Sequence, residues 1–186
     1  MLITENLLTP GGNRPGKKII GLQAVVLHWL AAPNQRPIET RSWWENGSAV
    51  GSAHYIIGTD GMVMRTIPEN EIGYHIGSSQ KDPKSRKIYT DKARELFGRK
   101  VCEAGMCNFY AIGIELSHTN MDPGTFTEAT LQAAAELSAD ILRRHEKTTG
   151  ILTTHHELVG WKDCPRLWTN APELFEAFKT RVQSLI

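Results

Sequence analysis

The sequence has few cysteines, and their scarcity excludes one class of protein. Its three cysteines, Cys102, Cys107 and Cys164, are too few and too irregularly spaced for the disulfide framework of a small secreted protein. They are typical of a reducing compartment, where a thiol can serve a metal. Cys102 and Cys107 are close enough in sequence to pair across a loop, although their interpretation as inert thiols is simpler.

Long apolar segments and an excess of one charge are also absent. No run of eighteen apolar residues is present, so the sequence predicts no membrane insertion. Lys and Arg number 21 against 20 Asp and Glu, and a net charge of +1 leaves no electrostatic footprint for nucleic acid. The first ten residues lack the basic start and apolar middle of a secretory signal, so we expect synthesis in the cytoplasm without a signal peptide.

Length and local pattern predict one domain of mixed secondary structure. A chain of 186 residues with 40% hydrophobic content has room for one well-filled core, so we expect a single domain over 1–186 and a monomer. Residues 1–20 are interpreted as an extended lead-in, because Pro and Gly are dense in their second half. Period-two alternation and turn residues predict strands at 22–29, 52–57, 62–67, 109–117 and 151–154, with a hairpin turn at 58–61. Capping residues and apolar spacing predict helices at 38–47, 91–97, 127–145 and 170–185, and 81–107 as a whole is expected to be a surface excursion or lid.

The segment 154–165, which reads THHELVGWKDCP, concentrates two imidazoles, an amine and a thiol within twelve residues. A thiolate and neutral imidazoles are preferred zinc ligands, and a segment of this length can fold back to bring His155 and Cys164 onto one ion. A third ligand must then come from elsewhere. His28, at the end of an apolar strand, is a candidate, although taken alone it fits a buried histidine bonded to backbone at least as well.

Glu115 is the second chemical signal. It lies on one face of its strand with Ala111, Gly113 and Ser117, and these small neighbours leave a shallow space above the sheet. The alternative is a carboxylate on a solvated face. A strand this apolar is expected to be central, however, and an unpaired carboxylate there is costly, so we favour a functional Glu115.

Five sequence segments together resemble one known family, the zinc-dependent N-acetylmuramoyl-L-alanine amidases of type 2, whose fold is shared by peptidoglycan recognition proteins. They occur in the family's order and cover roughly residues 20 to 180. The segments are VLHW at 26–29, SAHYII at 52–57 with Asp60-Gly61, IGYHIG at 72–77, Asn108 through IGIEL at 112–116, and HHE at 155–157 through KDCP at 162–165. The resemblance implies an α/β single domain with a central mixed β-sheet flanked by helices.

By this resemblance the metal ligands are His28, His155 and Cys164, and the cofactor is Zn²⁺. Glu115 falls on the catalytic carboxylate of one branch of the family, and Lys162 on the basic residue near the oxyanion. Some phage members have a tyrosine where this chain has Ala53, which leaves the base role to Glu115. Trp29, Trp43 and His75 are expected to contact substrate, with Trp44 as a further groove residue.

The implied reaction is hydrolysis of the amide between N-acetylmuramic acid and the L-alanine of the stem peptide. The implied partner is peptidoglycan or its muropeptide fragments. The setting is an endolysin or autolysin acting on the bacterial wall after release, or a cytoplasmic enzyme that recycles wall fragments. Two rivals remain: a non-catalytic peptidoglycan-binding module, and a structural zinc closed by Glu115 or His54 as fourth ligand.

Overall fold

The computed structural model describes residues 2–47, 50–145 and 151–186 and has six strands and seven α-helices in those ranges. The strands are β1 Ile3–Glu5, β2 Ala24–Trp29, β3 Tyr55–Ile57, β4 Val63–Arg65, β5 Ala111–Leu116 and β6 Leu152–Thr154. The helices are α1 Pro37–Glu45, α2 Asp91–Phe97, α3 Arg99–Glu103, α4 Glu128–Arg144, α5 His155–Val159, α6 Arg166–Asn170 and α7 Pro172–Gln183. A short 3-10 helix, Cys107–Tyr110, leads into β5. Within these ranges, none of the helices has both the length and the apolar character needed to cross a bilayer.

The strands form one mixed sheet in the order β1-β4-β3-β5-β2-β6. The β3–β4 hairpin is antiparallel, whereas every other neighbouring pair is parallel. The predicted fold class, a single α/β domain with a central mixed sheet and flanking helices, is therefore confirmed. Because β2, β5 and β6 are parallel, their carboxyl ends meet at one edge of the sheet, which is where open α/β sheets bind ligands.

The two faces of the sheet are covered differently. Alternate residues of β2 and β5, such as Leu27 and Ile114, face α4 and α7 and form the main core with Leu137 and Ile141. Thr127 caps α4 as predicted, since its side-chain oxygen accepts a hydrogen bond from the Thr130 amide. The other face carries small residues at Ala24, Val26 and Ala111, over which α2 and α5 pack.

Two details of the predicted lead-in and lid are wrong. Ile3–Glu5 is an edge strand parallel to β4, tied to it by an ion pair between Glu5 and Arg65. Three residues are too few for a period to show in the sequence, so the strand depends on its partner.

Residues 81–107 are more than a surface excursion, because Phe97, Cys102 and Cys107 are buried in a cluster of their own. The thiols of Cys102 and Cys107 are free, with 3.5 Å between the two sulfurs.

The predicted final helix, 170–185, corresponds to α7, and a separate short helix, α6, comes directly before it. The chain leaves helical geometry at Ala171, and α7 begins at Pro172, whose missing N–H costs nothing at a first helical position. The apolar spacing places Leu174 and Leu185 inward, but they are 44% and 37% exposed, since the break and the helix end at Gln183 set which face is covered. The other predicted inward residues, Phe175, Phe178 and Val182, are buried.

Candidate metal centre and active site

Three donor side chains converge at the carboxyl ends of the central strands. One ligand atom from each of His28, His155 and Cys164 lies within 4.8 Å of the other two, and all three residues are buried. His28 is near the end of β2, and His155 follows β6 directly. The structure therefore brings together the three residues that the sequence predicted as ligands.

His155 is fixed by the start of α5 rather than by a loop. The Thr154 hydroxyl accepts a hydrogen bond from the Glu157 amide at 3.2 Å, and the Glu157 carboxylate accepts one from the Thr154 amide at 3.1 Å. This capping box holds the first turn rigidly on the end of the strand. Glu157 also accepts hydrogen bonds from the Thr153 hydroxyl and from Lys92, which anchor it further.

Cys164 returns to the cluster through a short closed loop. Gly160 ends α5 in the left-handed region, with φ of 78°, where glycine is favoured. The His156 amide then donates to the Cys164 carbonyl, and the Cys164 amide donates to the Lys162 carbonyl, both at 2.9 Å, which places the thiol beside the two imidazoles. The ring Nδ1 of His156 bonds to the Lys162 carbonyl at 3.0 Å. His156 therefore supports the loop, in agreement with the prediction that His155 takes the ligand position.

The hydrogen bonds of the cluster fit a metal ion. His155 donates through Nε2 to the Gly77 carbonyl at 2.9 Å, and its buried Nδ1 has no hydrogen-bond partner among the residues that the structure describes. Nδ1 of His28 lies 3.7 Å from the sulfur of Cys164. A buried nitrogen without a partner, next to a second imidazole and a thiol, is costly unless a cation completes the group. These three residues could therefore hold a metal ion.

Burial keeps the imidazoles in the form that binds metal. It lowers the pKa of His28 well below its usual range and that of His155 to about 3, with Lys162 adding to the effect on His155. Both rings are therefore neutral near pH 7, as metal ligation requires. Burial, with the nearby Glu115 carboxylate, raises the pKa of the Cys164 thiol to about 12, so a bound cation would have to displace its proton.

Glu115 is the register partner of His28 across the β5–β2 pair, so both side chains leave the same face of the sheet. Its buried Oε2 accepts no hydrogen bond from the described ranges. Burial raises the pKa of this carboxyl to about 8, although the positive charge of Lys162 opposes the shift. Glu115 is thus a carboxyl group able to exchange a proton near neutral pH.

The cluster lies in a groove of about 530 Å³, which also contains Glu115 and Lys162. The predicted substrate residues Trp29, Trp43 and His75 all line it, but they are 7%, 49% and 5% exposed. Trp43 therefore offers a broad surface, whereas the Trp29 ring is buried and packs against His118 and the Arg166 guanidinium. Their contact with substrate stays a prediction.

Sequence reasoning missed several groove residues. Trp161 lines the groove, and its indole N–H donates to the Ser78 hydroxyl at 2.7 Å. Tyr74 and Gln35 also line it. The sequence shows that Trp161 directly precedes Lys162, which could have marked it as a groove residue. The turn after α5 that directs its side chain into the groove could not be predicted from the sequence.

The sequence model of the family described as N-acetylmuramoyl-L-alanine amidase matches residues 16–167. A probable N-acetylmuramoyl-L-alanine amidase of Bacillus licheniformis is 26% identical over 179 residues, which are 94% of this chain and 45% of the relative. The amidase BlyA of Bacillus subtilis strain 168 is 25% identical over 171 residues, 92% of this chain and 44% of the relative. The chain thus spans about half the length of the curated relatives it matches.

Solved structures show the same fold. The PlyG catalytic domain superposes with a TM-score of 0.70 at 15% identity, covering 99% of this chain and 94% of that one. A mutant endolysin from Bacillus subtilis gives a TM-score of 0.67 at 21% identity, covering 97% and 98%. With the family match over residues 16–167, these findings lead to one conclusion: the chain belongs to the N-acetylmuramoyl-L-alanine amidase family.

Proposed function

We propose that this chain is a zinc-dependent catalytic domain that hydrolyses the amide between N-acetylmuramic acid and L-alanine in peptidoglycan. The observation that carries the proposal is the meeting of His28, His155 and Cys164 at one edge of the sheet, with Glu115 in register beside His28. Three donors and an adjacent carboxyl, whose Oε2 has no hydrogen-bond partner in the described part of the chain, are the components of a hydrolytic metal site. We propose that the domain acts as a monomer.

The donor set favours zinc. Imidazole nitrogen and cysteine thiolate are its preferred ligands, and a set of three protein ligands leaves the fourth position for water, as in catalytic sites. When bound by His28, His155 and Cys164, zinc would supply a water of lowered pKa and polarise the scissile carbonyl. The convergence of these atoms within 4.8 Å supports this assignment.

Glu115 is proposed as the general base and then the general acid. It accepts a proton from the attacking water, whose oxygen bonds to the carbonyl carbon of the lactyl group. As the carbon–nitrogen bond breaks, Glu115 returns the proton to the leaving amine of L-alanine, so the products are a lactyl carboxylate and a free amino group. Burial raises the pKa of this carboxyl to about 8 in the metal-free protein, and the charge of a bound cation would lower it toward neutrality, where a carboxyl can both accept and return a proton.

Lys162 is proposed to stabilise the oxyanion that develops on the carbonyl. Its side chain is exposed and lines the same groove as the ligands and Glu115. A well-placed donor of this kind contributes about 3 kcal/mol to transition-state stabilisation in other hydrolases. Trp43 is proposed to contact the substrate with its exposed ring, while Trp29 and His75, which are mostly buried, offer the groove little surface.

The test combines metal analysis with digestion of purified bacterial cell walls. We expect one zinc per chain and the appearance of new L-alanine amino groups, with no new reducing sugar. Reducing sugar would identify a glycosidase and contradict the proposal. Wall binding with zinc but without new amino groups would instead support the binding module, and a parallel digest of soluble muropeptides separates a lytic enzyme from a recycling one.

A further inference from the structure

The ring of His75 is in direct contact with the proposed ligand His28. His75 belongs to the loop 74–77, which follows the β3–β4 hairpin. Its Nδ1 is 3.1 Å from Nε2 of His28, and the two rings meet edge to face at 88° with centroids 5.2 Å apart. With 5% exposure, His75 has its polar atoms directed at the protein.

The direction of the hydrogen bond between His75 and His28 follows from the partner of the other ring nitrogen of His75, Nε2. Nε2 of His75 lies 3.4 Å from the carbonyl oxygen of Ala111, and a carbonyl only accepts. This nitrogen therefore carries the hydrogen, and in a neutral imidazole the second nitrogen, Nδ1, is an acceptor. His28 must then donate through Nε2, which leaves the lone pair of its Nδ1 free on the side of Cys164, 3.7 Å away.

The same loop orients the second imidazole. The Gly77 carbonyl accepts from Nε2 of His155 at 2.9 Å, and this leaves Nδ1 of His155 as the nitrogen with a free lone pair. The loop is itself held, because the Asn108 side-chain oxygen accepts from the amides of His75 and Ile76 at 3.2 and 2.9 Å. One segment thus sets the tautomer of both proposed histidine ligands.

Gly113 on β5 leaves the space that the His75 ring occupies. A Cβ built on Gly113 would lie 2.6 Å from Cγ and 2.7 Å from Nδ1 of His75, closer than such atoms approach in proteins. Any side chain at position 113 would displace the ring or the strand. The small residue that the sequence places two positions before Glu115 therefore has a definite steric role.

We propose that His75 is a positioning residue that holds His28 as the Nε2–H tautomer and so presents Nδ1 to the metal. The proposal rests on the proposed zinc site. A partner of this kind fixes the orientation and basicity of a histidine ligand, and its loss typically weakens metal binding by about 10- to 100-fold. His75 is then supporting the ligand rather than contacting the reacting atoms.

The test measures zinc affinity by competition with a chelator for the intact chain. His75→Asn can keep an acceptor near the position of Nδ1, whereas His75→Gln keeps a donor toward Ala111 and loses that acceptor. We expect His75→Gln and His75→Leu to bind zinc about 10- to 100-fold more weakly, and His75→Asn to recover most of the loss. Tyr89→Phe is the matched control, since it removes a buried hydrogen bond to the Ile76 carbonyl in the same loop without touching His28.

A spectroscopic readout separates positioning from a general structural role. In the metal-free wild-type protein, long-range ¹H–¹⁵N correlation should show His28 protonated at Nε2. Protonation at Nδ1 would overturn the inference, even if every variant at position 75 failed to fold. If the wild type binds zinc and His75→Leu folds and binds it equally well, the inference is also wrong. A wild-type chain that binds no zinc would instead reject the proposed function.

Discussion

His28 and Glu115 are paired residues on adjacent parallel strands, and their side chains leave the sheet on the same face. One of them is a proposed ligand and the other a proposed base, so the sheet itself sets the distance between metal and proton acceptor. No loop movement is needed to bring them together. Proton transfer requires a well-defined distance between the groups, and positions on rigid strands provide it.

Replacing Glu115 with glutamine should separate catalysis from metal binding. The amide keeps the shape of the side chain but cannot accept the proton, so we expect wall hydrolysis to fall by at least about 100-fold while zinc content stays the same. Initial rates of alanine release and metal analysis of the same sample check this. Full activity in the Glu115→Gln protein would remove the residue from the mechanism.

Cys164→Ser should lose both zinc and activity, because a hydroxyl is a poor zinc ligand in place of a thiolate. Cys102→Ala is the control, since Cys102 is also a buried free thiol but lies in the cluster around α2 and α3. We expect that control to retain one zinc per chain. Stoichiometric, tightly bound zinc in folded Cys164→Ser would show that the ligand set is wrong.

Lys162→Ala should lower turnover by about 100-fold, the loss expected from removing a contribution of about 3 kcal/mol to the oxyanion. The Michaelis constant and zinc content should change little. Lys179→Ala offers a comparison at a lysine paired with Glu176 on α7, a helix that packs against α4. An equal fall in both variants would point to general electrostatics rather than to a role for Lys162.

Trp43→Ala should raise the Michaelis constant for a soluble muropeptide while leaving thermal unfolding nearly unchanged, because the ring is 49% exposed in the groove. Trp44→Ala, at the next position of α1, should instead destabilise the protein by about 3 kcal/mol or more, since that ring is buried. Unfolding curves and substrate saturation curves distinguish the two. An unchanged Michaelis constant for Trp43→Ala would exclude it from substrate binding.

The stability of the metal-free protein should fall as the pH rises from about 6.5 to about 8. The pKa of Glu115 is raised from 4.5 to about 8 on folding, so in this range the folded state binds more protons than the unfolded state. The expected loss is at most about 2 kcal/mol over these roughly 1.5 pH units. The buried histidines act in the opposite direction, but chiefly below their ordinary pKa of 6.5, where the unfolded chain takes up protons.

Denaturant unfolding at several pH values, with zinc removed, tests this. The Glu115→Gln protein should lack the decrease over the same pH range, since it has no proton to lose there. A slope that persists in this variant would assign the effect to another group.

Much of the site could be predicted from the sequence because its chemistry is local to strand ends. Period-two alternation predicted which face of its strand His28 and Glu115 each occupy. The segment from His155 to Cys164 contains two of the proposed ligands. The position of His75 could not be predicted in the same way. Its role depends on the register that brings Ala111 and Gly113 beneath it, which is a contact between distant segments.

The same difference between local sequence pattern and contacts of distant segments explains which parts of the fold were predicted wrongly. β1 exists only because β4 offers it an edge, and the exposed faces of α7 follow from a helix start at Pro172. α5 was missed because five residues are too few to show a helical period, although Thr154 and Glu157 form a capping box that the sequence contains.

The face of the sheet away from His28 and Glu115 packs against α4 and α7. Leu137 and Ile141 of α4 belong to the apolar layer formed there. His28 and Glu115 therefore lie on one side of the sheet and the contact between α4 and α7 on the other, although Cys164 also packs against the main core. An engineer seeking a longer shelf life for this domain has a region to redesign, the contact between α4 and α7, where gains need not slow the reaction.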